Sequence, residues 1–219
     1  GDSGETTVIA TAVPAQTEPT QAESAPEDGI YTVSTPDEFI DAIGSDRTIH
    51  VSGGTLDLST ARSYGKDTGN EKCAWEEEFD GYQLVIHDVK NLTITGDGKA
   101  ATEIATQPRY AQVLSFRNCT NVTIKDLTAG HTKEPGICMG GVLEFQNCSN
   151  VAVSGTGLFG CGTIGVDAIM SRNLDIRDNE IYECSFGGVR LNSSRNVTME
   201  NNDFHDLGGE YVGFVYNVS

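Results

Sequence analysis

Basic side chains are scarce: 14 Lys and Arg stand against 32 Asp and Glu in 219 residues, giving a formal net charge of -18 and an isoelectric point near 4.4. Such a chain repels phosphate backbones and anionic lipid surfaces, which sets nucleic-acid binding aside. Also missing is any run of about 18 apolar residues, the least a helix needs to cross a bilayer, so no transmembrane segment is expected. Tryptophan occurs once, at Trp75, and the six cysteines include no Cys-x-x-Cys pair. Neither a zinc ribbon nor a cofactor-binding cysteine motif is therefore present, and no metal and no cofactor are expected. The length fits one domain, or at most two small ones, with ample material for a core.

Acid is unevenly spread. Residues 1–46 hold ten Asp or Glu and no Lys or Arg. Within them, residues 1–29 are rich in Thr, Ala, Glu, Gln and Pro, with only Val8, Ile9 and Val13 as large aliphatics. Too little apolar surface is available there to offset the entropy of ordering, and the segment reads as a disordered acidic tether. Residues 30–219 form the candidate globular domain.

What is abundant is self-similarity. The segment Asn-(Leu/Val)-x-(Ile/Val/Met) begins at Asn91, Asn121, Asn150, Asn173 and Asn196. Cys138 to Gly160, Cys161 to Glu183 and Cys184 to Asp206 align without gaps as 23-residue units. Apolar residues recur at period two in each unit, as strands facing a core require. One column holds Leu114, Leu143, Val166, Val189 and Val212, and another Phe116, Phe145, Ala168, Leu191 and Phe214. A second strand supplies Val122, Val151, Leu174 and Val197, then Ile124, Val153, Ile176 and Met199. A third inward position follows at Ala129, Leu158, Ile181 and Phe204. Short strands joined by polar turns describe an all-β parallel solenoid with coils about 4.8 Å apart. Before it, Thr35-Pro36-Asp37-Glu38 with Gly44 predicts a short helix over Pro36–Ile43. Leu207 to Ser219 fills just over half a coil, so either the chain continues or another chain covers the edge.

These coils, with their recurrent Asn-Val-Thr-Ile, resemble the right-handed parallel β-helix proteins of pectate-lyase-like architecture from about Tyr31 onward. The resemblance implies a right-handed solenoid with the helix plugging its first coil. The tether preceding it resembles the spacers of bacterial surface lipoproteins and wall-anchored proteins, which implies an extracellular location, secreted or held by a lipid or wall anchor upstream. The catalytic signatures of that architecture do not transfer. The Arg-x-Pro-x-x-Arg of pectate lyases is absent, and Gly130-His131 is followed by Thr132 where polygalacturonases have Gly-His-Gly. A shared fold does not supply a shared reaction.

Two sets of repeated residues read as structural. The five asparagines form a turn ladder whose amides bond one another. Cys138, Cys161 and Cys184 form one column of reduced, buried thiols, while Cys119 and Cys148 form another that continues as Ser171 and Ser194.

Functional candidates sit where extra residues precede the first strand of each coil: Ser59–Asp80, Thr102–Pro108 and Thr132–Ile137. Repeat proteins place such insertions on the binding face. The largest holds Trp75 and Tyr64, whose rings suit stacking on sugar; His131 and Glu134 are further substrate-binding candidates. The adjoining outward column reads Ser115, Glu144, Asp167, Arg190 and Gly213. Two carboxylates about 5 Å apart beside an arginine suit glycoside cleavage, which makes Glu144, Asp167 and Arg190 the catalytic candidates. His131, Glu183, Asp206 and the adjacent His205 form a weaker, turn-borne cluster. The expected function is binding of extracellular polysaccharide on a loop-flanked strand face. The alternatives are a polysaccharide lyase or glycosidase and a structural or adhesive module of a larger surface protein.

Overall fold

The computed structural model describes Pro26 and residues 28–132, 139–160, 164–208 and 215–218. Three sheets run the length of a solenoid. Sheet 1 begins with Ile30–Val33 and Arg47–Val51 and continues through Lys90–Thr95, Thr120–Lys125, Ser149–Ser154, Arg172–Arg177 and Arg195–Glu200. Sheet 2 runs from Gly54–Asp57 through Thr102–Thr106, Thr128–His131, Gly157–Phe159 and Glu180–Tyr182 to Asp203–His205. Sheet 3 contains Cys73–Glu78, Gly81–His87, Leu114–Arg117, Leu143–Gln146, Ile164–Ile169, Gly187–Asn192 and Val215–Val218. Every pairing is parallel except that of Cys73–Glu78 with Gly81–His87, which form an antiparallel hairpin.

The 23-residue register holds where the sequence is gapless. Leu143, Val166 and Val189 pair in one buried row and Ala129, Leu158 and Ile181 in another. Phe116 and Phe145 stack face to face in the core, centroids 5.2 Å apart. In-register stacking places like side chains over one another, so each coil fills the volume left by its neighbour.

Turns between strands are set by residues that tolerate positive φ. Asn91, Asn121, Asn150, Asn173 and Asn196 all have φ between 54° and 58°. Their amides relay along the axis: Asn121 donates to Asn91 at 2.8 Å, Asn173 to Asn150 at 2.9 Å and Asn196 to Asn173 at 3.0 Å. A second, buried ladder links Thr156, Asn179 and Asn202, with Asn179 accepting from the Thr156 hydroxyl at 2.7 Å and donating to the Val153 carbonyl at 2.9 Å. The Cys119, Cys148, Ser171, Ser194 column is a rung system of the same kind. Ser171 and Ser194 each bond a carbonyl 26 residues back. Cys73, Cys119, Cys148 and Cys184 are buried free thiols, whereas Cys138 and Cys161 lie outside the described residues.

The helix spans Pro36–Ala42, with Ile43 as its C-cap. Thr35 and Glu38 form a reciprocal capping box, and Phe39, Ile40 and Ala42 bury themselves against the first coil. Three expectations need correction. The stretch from Ser59 to Asp80 is not all loop: Cys73–Glu78 is a strand, turned back by the two-residue Phe79-Asp80 turn into Gly81–His87. Thr102–Thr106 is likewise a strand of sheet 2, its alternation directing Ile104 inward. Finally, Val189, Arg190 and Leu191 pair with Val215, Tyr216 and Asn217, not with residues 212–214. The chain after His205 carries three more residues than the repeat requires, which shifts the last register from 23 to 26.

Candidate functional site

The outward face of sheet 3 carries the candidate column. Ser115, Glu144, Asp167 and Arg190 stand in successive strands at paired positions. Their side chains are bonded rather than idle. Ser115 donates to Glu144 Oε1 at 2.7 Å. Arg190 Nε donates to Asp167 Oδ1 at 3.0 Å, and its Nη2 meets Oδ2. Asp167 is only 1% exposed, so this ion pair compensates a carboxylate that water does not reach. Glu144 is half-buried, and burial, aided by the charge of Asp167, raises its pKa above the usual carboxylate range.

The hairpin extends this strip. Trp75 pairs with Leu84, a core residue, so alternation sends Trp75 inward and Glu76 and Glu78 outward. Glu76 receives both terminal nitrogens of Arg117, at 2.6 and 2.7 Å, and the amide of Gln83 at 2.8 Å. The guanidinium holds the Glu76 pKa below its ordinary value. Glu78 makes no ion pair among the described residues; burial first, then the charges of Glu76 and Glu144, raise its pKa against the opposing charge of Arg117. The face therefore reads Glu78, Glu76, Arg117, Glu144, Asp167, Arg190.

Several sequence-based candidates lie elsewhere. Trp75 packs partly buried against the core with Tyr64 edge-on at 5.0 Å, and its indole N–H donates to Ser63 Oγ at 3.2 Å. The Tyr64 hydroxyl accepts from the Tyr82 backbone at 2.9 Å. Both rings close the N-terminal end of the solenoid on the side of sheet 3 opposite Glu144, which corrects the expectation that they border one groove with it. His131 is fully buried, Nε2 2.8 Å from the Ala111 carbonyl and Nδ1 3.2 Å from that of Gly160. Desolvation lowers its pKa despite both carbonyls. His205 pairs instead with Asp206 and Glu180, so the turn-borne cluster does not converge. Glu134 and Gly213 lie outside the described residues. Among the described residues, no three His, Cys, Asp or Glu are grouped to hold a metal.

The aromatic edge of the face comes from residues the sequence reading passed over. Phe79, at the hairpin tip, is 85% exposed and tilts against Tyr110, centroids 5.0 Å apart. Asp80 ties the tip to the neighbouring loop by accepting from the Arg109 and Tyr110 backbone amides at 2.7 and 3.1 Å. Met139 and Phe186, on the corresponding loops of later coils, are exposed as well. The legible signal was Asp80-Gly81 between two strand-length segments, a turn mark one residue off the observed Phe79-Asp80 loop.

The family model for the right-handed β-helix region matches residues 79–219. No curated protein matches. Among solved structures, a pectate lyase from Paenibacillus sp. 0602 aligns with a TM-score of 0.44 and 12% identity over 74% of this chain. The aligned chain spans only 38% of that structure.

Proposed function

The chain belongs to the right-handed β-helix family, and on that footing we propose that it binds extracellular polysaccharide along the outward face of sheet 3, as a secreted or surface-tethered protein. The observation that carries this reading is Phe79, held in water beside Tyr110 at the rim of a hydrogen-bonding strip. Leaving a Phe side chain exposed forgoes roughly 1.5–3 kcal/mol of burial. Pinned there by Asp80, it offers a flat apolar surface to the C–H face of a pyranose, while the half-buried Glu144, backed by the buried Ser115, lies along the strip to bond hydroxyls. Affinity electrophoresis through gels containing neutral, acidic and basic polysaccharides tests the reading. Retardation by at least one, lost in Phe79→Ala and Tyr110→Ala with unchanged circular dichroism, is expected. Equal mobility of the wild type in every gel refutes it.

One observation favours a second reading, a glycoside-cleaving enzyme. Glu144 has the raised pKa of a proton donor beside a second carboxylate, Asp167. Asp167 is sealed by Arg190, however, and has no surface left for substrate. Reducing-end release that disappears in Glu144→Gln would establish this reading over simple binding.

A further inference from the structure

We propose that His205 is a proton-operated latch on the outermost strand of sheet 2: as an imidazolium it ties Asp203–His205 to the preceding coil, and loss of its proton loosens that strand. The ring has a carboxylate oxygen at each nitrogen. Nδ1 lies 2.8 Å from Asp206 Oδ2, and Nε2 lies 3.0 Å from Glu180 Oε1. A carboxylate only accepts, and a neutral imidazole has a single N–H, so both bonds exist together only when the ring is protonated. The two partners stand on different coils: Asp206 follows His205 directly, whereas Glu180 lies 25 residues back. Lys99 Nζ, 2.9 Å from the other oxygen of Glu180, keeps that carboxylate ionised and lowers its pKa. The His205 ring also stacks on Tyr182, centroids 5.1 Å apart and within 4° of parallel, and Tyr182 stacks in turn on Phe159 at 5.6 Å. A positive ring charge is attracted to the tyrosine face.

The surroundings favour the charged ring. Asp206 first, then Glu180, with the charge of Asp203 added, raise the His205 pKa from its ordinary 6.5. Glu183 and Glu103 act on the neighbouring Tyr182, and Lys99 is the cation of the cluster, bound to Glu180. The strand is placed where such a bond matters. Among the described residues, Asp203–His205 pairs with Glu180–Tyr182 on one side and with no strand on the other. Its inward residue Phe204 is half-buried, as are Val197 and Met199 in the same coil, whereas Ile181, Leu174 and Ile176 one coil back are buried. Strands with little apolar cover open locally before the body of a fold does, so the bonds that cross to the next coil set how often this one opens. The His205 contribution is complete below pH 6.5 and is lost as pH rises through the raised value of the folded chain. A neutral ring then donates to Asp206 or to Glu180, not to both.

NMR titration of the histidine rings in the full chain, together with hydrogen exchange of the Asp203 and Gly208 amides, tests this. Both amides bond back to the preceding coil, at the Asn179 and Cys184 carbonyls. His205 is expected to titrate above 6.5, and at a lower pH in Asp206→Asn and in Glu180→Gln than in the wild type. Corrected for the intrinsic pH dependence of exchange, protection of the two amides should fall severalfold from about pH 6 to about pH 9, while that of Leu158, inside sheet 2, holds. In His205→Gln, whose amide does not titrate, protection should stay level over the same range. A His205 midpoint at or below 6.5, or one unmoved by both carboxylate substitutions, overturns the proposal. So does wild-type protection that is the same at both ends of the range, or an equal fall in His205→Gln.

Discussion

Asn179 is the best place to test whether buried ladders hold the solenoid together. Its side chain is 2% exposed and makes contacts in both directions along the axis. Oδ1 accepts from the Thr156 amide at 3.1 Å and the Thr156 hydroxyl at 2.7 Å; Nδ2 donates to the Val153 carbonyl at 2.9 Å and to Asn202 Oδ1 at 3.0 Å. Asn179→Ala removes all of these. The Thr156 hydroxyl can rotate and Asn202 is half-buried, so those two groups find other partners. The Thr156 N–H and the Val153 carbonyl are left stranded, at about 1–3 kcal/mol each. With the cavity added, the expected loss is about 3–5 kcal/mol. Urea unfolding at pH 7 measures it, with an unchanged m-value showing that only stability moved. Asn202→Ala, at the half-buried end rung, should cost about half as much. A loss below about 1 kcal/mol in Asn179→Ala would mean that water or a shifted backbone replaces the ladder, and the structural role given to it would be wrong.

Trp75→Ala should lower stability by about 2 kcal/mol, because a half-buried indole leaves the end of the core, and should leave polysaccharide retardation intact; lost retardation with unchanged stability would return Trp75 to the binding face. His131 predicts a pH effect of defined sign. Its pKa is lowered in the folded chain from 6.5, so the unfolded chain takes up a proton that the native one refuses. Its contribution is complete above pH 6.5 and is lost as pH falls below it. The stability difference between wild type and His131→Gln should therefore shrink from pH 7.5 to pH 5; a widening difference contradicts the burial argument. The thiols of Cys73 and Cys184, pushed up to about 11 and about 12 by burial, should resist a thiol reagent in the native state. After denaturation, at least the four described cysteines should titrate, and a lower count would reveal a disulfide.

Most of the fold was legible because a parallel solenoid repeats one local decision. Period-two alternation fixed which way Leu143, Val166 and Val189 point, and gapless spacing fixed that they stack. Legibility ends where the repeat itself breaks. After His205 the spacing stretches by three residues, and nothing in residues 207–214 marks the change before pairing is seen. Before Asn91 there is no repeat to align, and Trp75 beside three glutamates looks like an exposed loop. Pairing with Leu84 makes it an inward position, a tertiary fact that overrides the local impression. The column Ser115, Glu144, Asp167, Arg190 was readable from register alone. That Arg117 and Glu76 belong to the same face was not, since they meet across 41 residues through side chains of different strands. The buried Asn179 ladder was likewise hidden, because it starts in a column occupied by Leu127 in an earlier coil.

The central claim is that polysaccharide lies on the outward face of sheet 3. Hydrogen–deuterium exchange of the full chain, with and without the polysaccharide that retards it most, addresses this directly. Slowed exchange confined to residues 76–86, 109–117 and 139–146, with sheets 1 and 2 unchanged, is the predicted footprint. Protection centred on the asparagine face of sheet 1 or on the outer strands of sheet 2, with the hairpin unaffected, would contradict it.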